Sequence, residues 1–314
     1  MSSIAQAVPH PGFITRYFGP VRQSGQERVS WPGPLSRFDN LAVQLEANSG
    51  TYWCYMQPQG RPSFTPELLT DLADMQRSIV DMFSADEAPL RYYVLASRLP
   101  GIFNLGGDLS VLASRIRNQD RAGLIRYAKA CIDVLYTNSV SFDRPVVTIA
   151  LVQGDALGGG FEAALSCDII VAEKGTRFGF PEVLFNLFPG MGAYSFLARR
   201  LGSAQAEKII LSGRVYTAEE LEEIGLVQVL AEPGDGEQAV RELIGRTGRR
   251  HHAQNSIFRV GRCVAPLTYD ELRQIAEIWV NSALALAESD LRKMERLTAA
   301  QNRRWSGQEI AAAV

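Results

Sequence analysis

The run RPVVTIALVQG, from Arg144 to Gly154, constrains the fold more than any other stretch of this chain. Its apolar residues do not alternate with polar ones, so it offers no wet face. A β-branched run of that kind reads as a strand buried on both sides, which requires a mostly parallel sheet covered on both faces. Gly158, Gly159 and Gly160 follow almost at once. Such a triplet is poor helix and poor strand. A helix then reads from Phe161 to about Cys167, and Glu162 stands in its apolar first turn. A charge in that setting needs a reason.

The rest of the chain alternates in the same way. Tyr52–Pro58 and Arg91–Ser97 read as strands, the second running into a loop over Arg98–Ser110. Thr65 caps a helix with Pro66 at its first position, and Leu68, Leu69, Leu72, Met75, Ile79 and Val80 follow at helical spacing. A second helix fits Leu124, Ile125, Ala128, Cys131, Ile132 and Leu135, and Asp168–Glu173 is the next strand. Thr217-Ala218-Glu219-Glu220 spells a capping box, with Gly225 closing its short helix. Past Glu232 the strand signal fades. Pro266 to Arg304 reads as two helices whose apolar stripes include Leu272, Trp279, Leu291, Met294 and Leu297. Strands alternating with helices predict a layered α/β fold. Residues 1–36 hold five prolines and little periodicity, and read as an irregular arm.

Composition narrows the function classes. A net charge of −2 and a pI near 6.0 argue against a nucleic-acid binder, which needs a basic footprint. The basic cluster Gly245–His252 reads as a solvated face. Cys54, Cys131, Cys167 and Cys263 are widely spaced and read as reduced thiols. No apolar run reaches 18 residues and no signal pattern opens the chain, so a soluble, cytoplasmic protein without membrane association is expected. His10, His251 and His252 lie in weakly patterned segments, which leaves little material for a Ser-His-Asp triad or a histidine metal site. No metal ligand set is assigned.

Three segments line up as chemistry. They are Asn104–Asp108 (NLGGD), Gly154–Glu162 (GDALGGGFE) and Phe178–Glu182 (FGFPE). The first two follow strands, where α/β sheets place ligands. Glycines at such turns free backbone N–H groups, and two of them converging on one oxygen make an oxyanion hole. Two carboxylates on separate loops can divide acid and base duties. Taken singly, the triplet could be a tight crossing, NLGGD any turn, and Glu182 a first-turn residue. Their order and spacing are far more specific.

Together, the core from Arg144 to Ala193 and its continuation over Glu207–Leu230 resemble the crotonase (enoyl-CoA hydratase/isomerase) superfamily over roughly residues 40–305. The resemblance implies a ββα-spiral core at 37–235 and a C-terminal helical segment at 236–314 that supplies acyl pocket and oligomer contacts. It implies thioester substrates, with the carbonyl oxygen held by the N–H groups of Gly107 and Gly159. Glu162 and Glu182 match the pair used for adding or removing water. In dehydration Glu182 would take the C2 proton and Glu162 would protonate the leaving hydroxyl. No metal or redox cofactor is implied. The resemblance further implies a substrate carried on acyl carrier protein or coenzyme A and assembly as a homotrimer or hexamer.

A narrower resemblance joins IFNLGGDLS, PEVLFNLFPGMGAYSF and the stretch Glu277–Arg304 to the diffusible signal factor synthases. These dehydrate 3-hydroxyacyl chains on acyl carrier protein and cleave the thioester, releasing cis-2-unsaturated fatty-acid signals for quorum sensing. That resemblance implies an acyl pocket of Leu157, Gly158, Met191, Trp279 and Leu297, and contact with a sensor kinase in some members. Where CoA hydratases commonly carry a D-R-x-E-G-like segment, this chain has Glu288–Leu297, ESDLRKMERL. The alternatives are a CoA-dependent enoyl hydratase and an idle lipid-binding partner of a receptor.

Overall fold

A computed structural model describes residues 37–83 and 90–299. The irregular arm expected at 1–36 and the chain beyond 299 lie outside the described residues. The chain is a mixed α/β fold built on two sheets. The larger has the order β1 (Leu41–Glu46), β2 (Thr51–Met56), β3 (Tyr92–Ser97), β5 (Val147–Val152), β7 (Ile169–Glu173) and β10 (Val229–Ala231). Among its described strands only the β1–β2 pair is antiparallel. The smaller sheet has the order β4 (Ile102–Asn104), β6 (Asp155–Leu157), β8 (Arg177–Gly179) and β9 (Val215–Thr217).

Strand β5 is buried at every residue, as its composition predicts. Its period-two alternation splits it between two cores. Ala150 and Val152 join the large core, while Val147, Ile149 and Leu151 join a second core on the other face with Trp53, Tyr55, Tyr92 and Val94. The second core is covered by Val240 and Ile244 of α8 (Gly236–Thr247). The large core is closed by α1 (Pro66–Met82) and α3 (Arg121–Ser139). Thr65 caps α1 and Thr217 forms the expected box on α7 (Ala218–Glu223).

The chain winds as a spiral. A strand of the large sheet is followed by a short strand of the small sheet and then by helix. β3 leads to β4 and α2 (Leu109–Arg117); β5 leads to β6 and α4 (Gly159–Leu165). β7 leads to β8, a 3-10 turn at Pro181–Phe185, and α5 (Ala193–Leu201) and α6 (Ser203–Ser212). The loop expected over Arg98–Ser110 therefore contains β4 and the start of α2. Asp108, whose carboxylate accepts from the amides of Ser110 and Val111, is the cap that starts α2. The C-terminal part is helical: α9 (His251–Val264), α10 (Tyr269–Leu284) and α11 over residues 288–299. The stretch from Pro266 does break into two helices. The basic cluster spans the end of α8, a 3-10 turn and the start of α9. Arg249 and Arg250 are exposed, whereas His251 turns inward, with Nε2 2.9 Å from Arg91 O. All four cysteines are unpaired. Among the described residues no helix is long and apolar enough to cross a membrane.

Candidate active site

Each turn of the spiral delivers one functional segment after its short strand: Gly107 after β4, Gly159 and Glu162 after β6, Glu182 after β8. These segments touch main chain to main chain. A Cβ on Gly106 would lie 2.8 Å from Gly159 N and 2.9 Å from Leu157 O, and Gly106 itself has φ +89°. Only glycine lets the two loops meet this closely. The contact brings Gly107 and Gly159 to the wall of one cavity, which Glu162 and Glu182 also line. Among the described residues neither amide has a hydrogen-bond acceptor. The Gly159 amide is also a free first-turn donor of α4.

The two carboxylates are held differently. Glu162 is buried in the first turn of α4. Its Oε1 accepts hydrogen bonds from Met191 N at 2.7 Å and Ala193 N at 2.9 Å, where the turn before α5 wraps around it. Burial raises its pKa to about 7, and these amides, which favour the anion, hold it from rising further. Glu182 heads the 3-10 turn, and its Oε2 is buried without a partner among the described residues. Burial, together with the nearby Glu162 charge, raises it to about 8. Gly158 makes room for this carboxylate. Its φ is +53°, and a Cβ there would lie 2.5 Å from Glu182 Oε1.

The cavity walls are otherwise apolar: Leu109, Leu112, Tyr127, Ala128, Cys131, Phe185, Leu187, Met191 and Trp279 line it. Six of the expected residues meet here, namely Gly107, Gly159, Glu162, Glu182, Met191 and Trp279. The other three do not line the cavity. Leu157 ends β6 half-buried with its carbonyl against Gly106, Gly158 abuts Glu182, and Leu297 on α11 packs against the large core. Tyr127, Ala128 and Cys131 of α3, not expected at the site from the sequence, line its wall. α3 reads as an ordinary core helix, and no local signal distinguishes a residue facing a cavity from one facing a neighbour.

Residues 56–253 match the family model described as Enoyl-CoA hydratase/isomerase. The mitochondrial methylglutaconyl-CoA hydratase of Rattus norvegicus is 34% identical over 178 residues, 56% of this chain. The chain spans about half the length of the curated relatives it matches, 54% in that case. Among solved structures, the enoyl-CoA hydratase of Bacillus halodurans superposes with a TM-score of 0.69 at 22% identity, covering 82% of this chain and 98% of that one. Pseudomonas aeruginosa DspI gives a TM-score of 0.60 at 24% identity, covering 79% and 98%. At that identity the likeness is one of fold.

Proposed function

The chain belongs to the enoyl-CoA hydratase/isomerase family, and from that premise we propose that it hydrates 2-enoyl thioesters of coenzyme A to 3-hydroxyacyl thioesters. One observation carries the proposal: two carboxylates in different protonation environments share a cavity with two glycines whose amides have no acceptor among the described residues. Glu162, solvated by main-chain N–H groups, carries the resting charge. Glu182, with one oxygen buried and without a partner among the described residues, carries the proton.

That division suits hydration. Glu162 takes a proton from water as its oxygen bonds to C3, and the C2–C3 π electrons move onto the thioester as an enolate. The enolate oxygen lies between the Gly107 and Gly159 amides, each worth roughly 3–4 kcal/mol to that charge. Glu182 then gives its proton to C2. The reverse is dehydration with the same roles inverted, Glu182 as C2 base and Glu162 as acid to the hydroxyl. The acyl chain lies against Leu112, Ala128, Cys131 and Trp279.

A second reading keeps this machinery but takes 3-hydroxyacyl chains from acyl carrier protein and releases cis-2-unsaturated free acids, as a diffusible signal factor synthase. It draws support from α10, which lies beyond the matched family segment and brings Trp279 to the cavity. The relatives whose names specify coenzyme A thioesters favour the first reading. Assembly into trimers or pairs of trimers belongs to either. The row Ile257, Val260 and Val264 on α9, 68%, 61% and 80% exposed, supports it.

Mass spectrometry of products from trans-2-enoyl-CoA and from 3-hydroxyacyl carrier protein tests both. Formation of 3-hydroxyacyl-CoA supports hydration. Free cis-2-enoic acid from the carrier protein would replace it with the second reading. Fatty-acid binding without any turnover would sink both.

A further inference from the structure

Tyr127 stands on α3 at the cavity wall, and its hydroxyl occupies a gap in the main-chain pairing behind Gly107. Phe64 pairs with Gly107 as an isolated parallel bridge, and Phe64 N donates to Gly106 O at 2.7 Å. In a parallel ladder the return bond would run from Asp108 N to Phe64 O. Here Asp108 N donates to Tyr127 Oη at 3.1 Å, and Tyr127 Oη donates to Phe64 O at 2.6 Å. The phenol is spliced into the ladder. It is 7% exposed, and burial lifts its pKa well above the ordinary tyrosine value, so it keeps the proton it donates.

The residues on either side of Gly107 are thereby anchored. Gly106 donates to Asn104 Oδ1 at 2.8 Å and accepts from Phe64. Asp108 gives its amide to Tyr127 and its carboxylate to the cap of α2. We propose that Tyr127 is a positioning residue: its hydroxyl, bridging Asp108 N and Phe64 O, holds the Gly107–Asp108 peptide while Phe64 N holds the carbonyl of the Gly106–Gly107 peptide, and together they fix the direction of the Gly107 N–H toward the thioester oxygen. The inference rests on the reading of Gly107 as an oxyanion donor. The hydroxyl has one proton, committed to Phe64 O, so Tyr127 is not a proton donor to the substrate.

Tyr127→Phe in the full chain removes one oxygen and leaves the ring packing in place. Three readouts apply: backbone hydrogen exchange over residues 105–109, kcat and KM for 2-butenoyl-CoA, and the fraction of bound acetoacetyl-CoA present as its enolate. Exchange at Asp108 should quicken at least roughly tenfold. With the donor displaced rather than deleted, kcat should fall about tenfold, part of the hundredfold or more expected from losing such a donor outright. KM should stay within about twofold, and the enolate fraction should drop. Unchanged exchange overturns the inference, as does faster exchange with unchanged kcat, which would make the hydroxyl merely structural. Wild-type protein inert toward every enoyl thioester would sink the proposed function instead, and the exchange readout would still decide whether Tyr127 holds the loop.

Discussion

At the scale of single residues, the site depends on how differently two similar side chains are solvated. Two main-chain amides favour the anion of Glu162 against the burial that lifts it to about 7, whereas Glu182 Oε2 has no partner among the described residues and that carboxyl is lifted to about 8. Replacing either by Gln should cut hydration by about 10²–10⁴-fold, read as loss of the enoyl chromophore, with secondary structure unchanged by circular dichroism. The pair also costs stability. Both carboxyls titrate above 4.5, near 7 and 8, so the folded chain holds these protons more tightly than the unfolded chain. Their contribution is therefore full at low pH and is lost as pH rises through 7 and 8. Glu182→Gln, which mimics the protonated form, should raise Tm relative to wild type at pH 8.5, with the gap narrowing toward pH 6. An equal gap at both pH values would show that the carboxyl is not held neutral. Activity should follow a narrow bell between these two values.

At the scale of elements, legibility followed the length of the signal. Strand β5 declared itself because six buried residues in a row leave no alternative reading, and α1 and α7 because Thr65-Pro66 and the Thr217 box are local chemistry. β4 and β6 have three residues each, too few for any period to emerge. α2 was hidden because the glycines before it read as one long loop that swallowed its Asp108 cap. Glu162 and Glu182 were legible as a constellation. Tyr127 was not, because its role comes from Phe64, 63 residues away. Trp279 was expected in the acyl pocket by resemblance, and α10 carries it to the cavity wall beside Glu162 and Glu182. Trp279→Ala should shift acyl preference toward longer chains in competition assays and cost about 3–5 kcal/mol in urea unfolding. An unchanged chain-length profile would show that the acyl group runs elsewhere.

At the scale of the whole molecule, α9 carries an apolar row that is exposed among the described residues. Ile257→Glu with Val260→Glu should reduce the mass seen by light scattering from a multiple of three chains toward the 34.6 kDa of one. Wild-type protein running as a single chain would end the proposal of assembly through this face. The spiral itself carries a further consequence. Under the proposed function the oxyanion donors are main-chain amides and the carboxylates sit in the first turn of α4 and the 3-10 turn, whereas Leu112, Ala128, Cys131 and Trp279 are side chains of α2, α3 and α10. Chemistry and substrate range are thus written in separate parts of the molecule. Selection, natural or in the laboratory, can recut the lining for a new acyl group while leaving the reacting atoms where they are, one route by which a single reaction spreads across many metabolites.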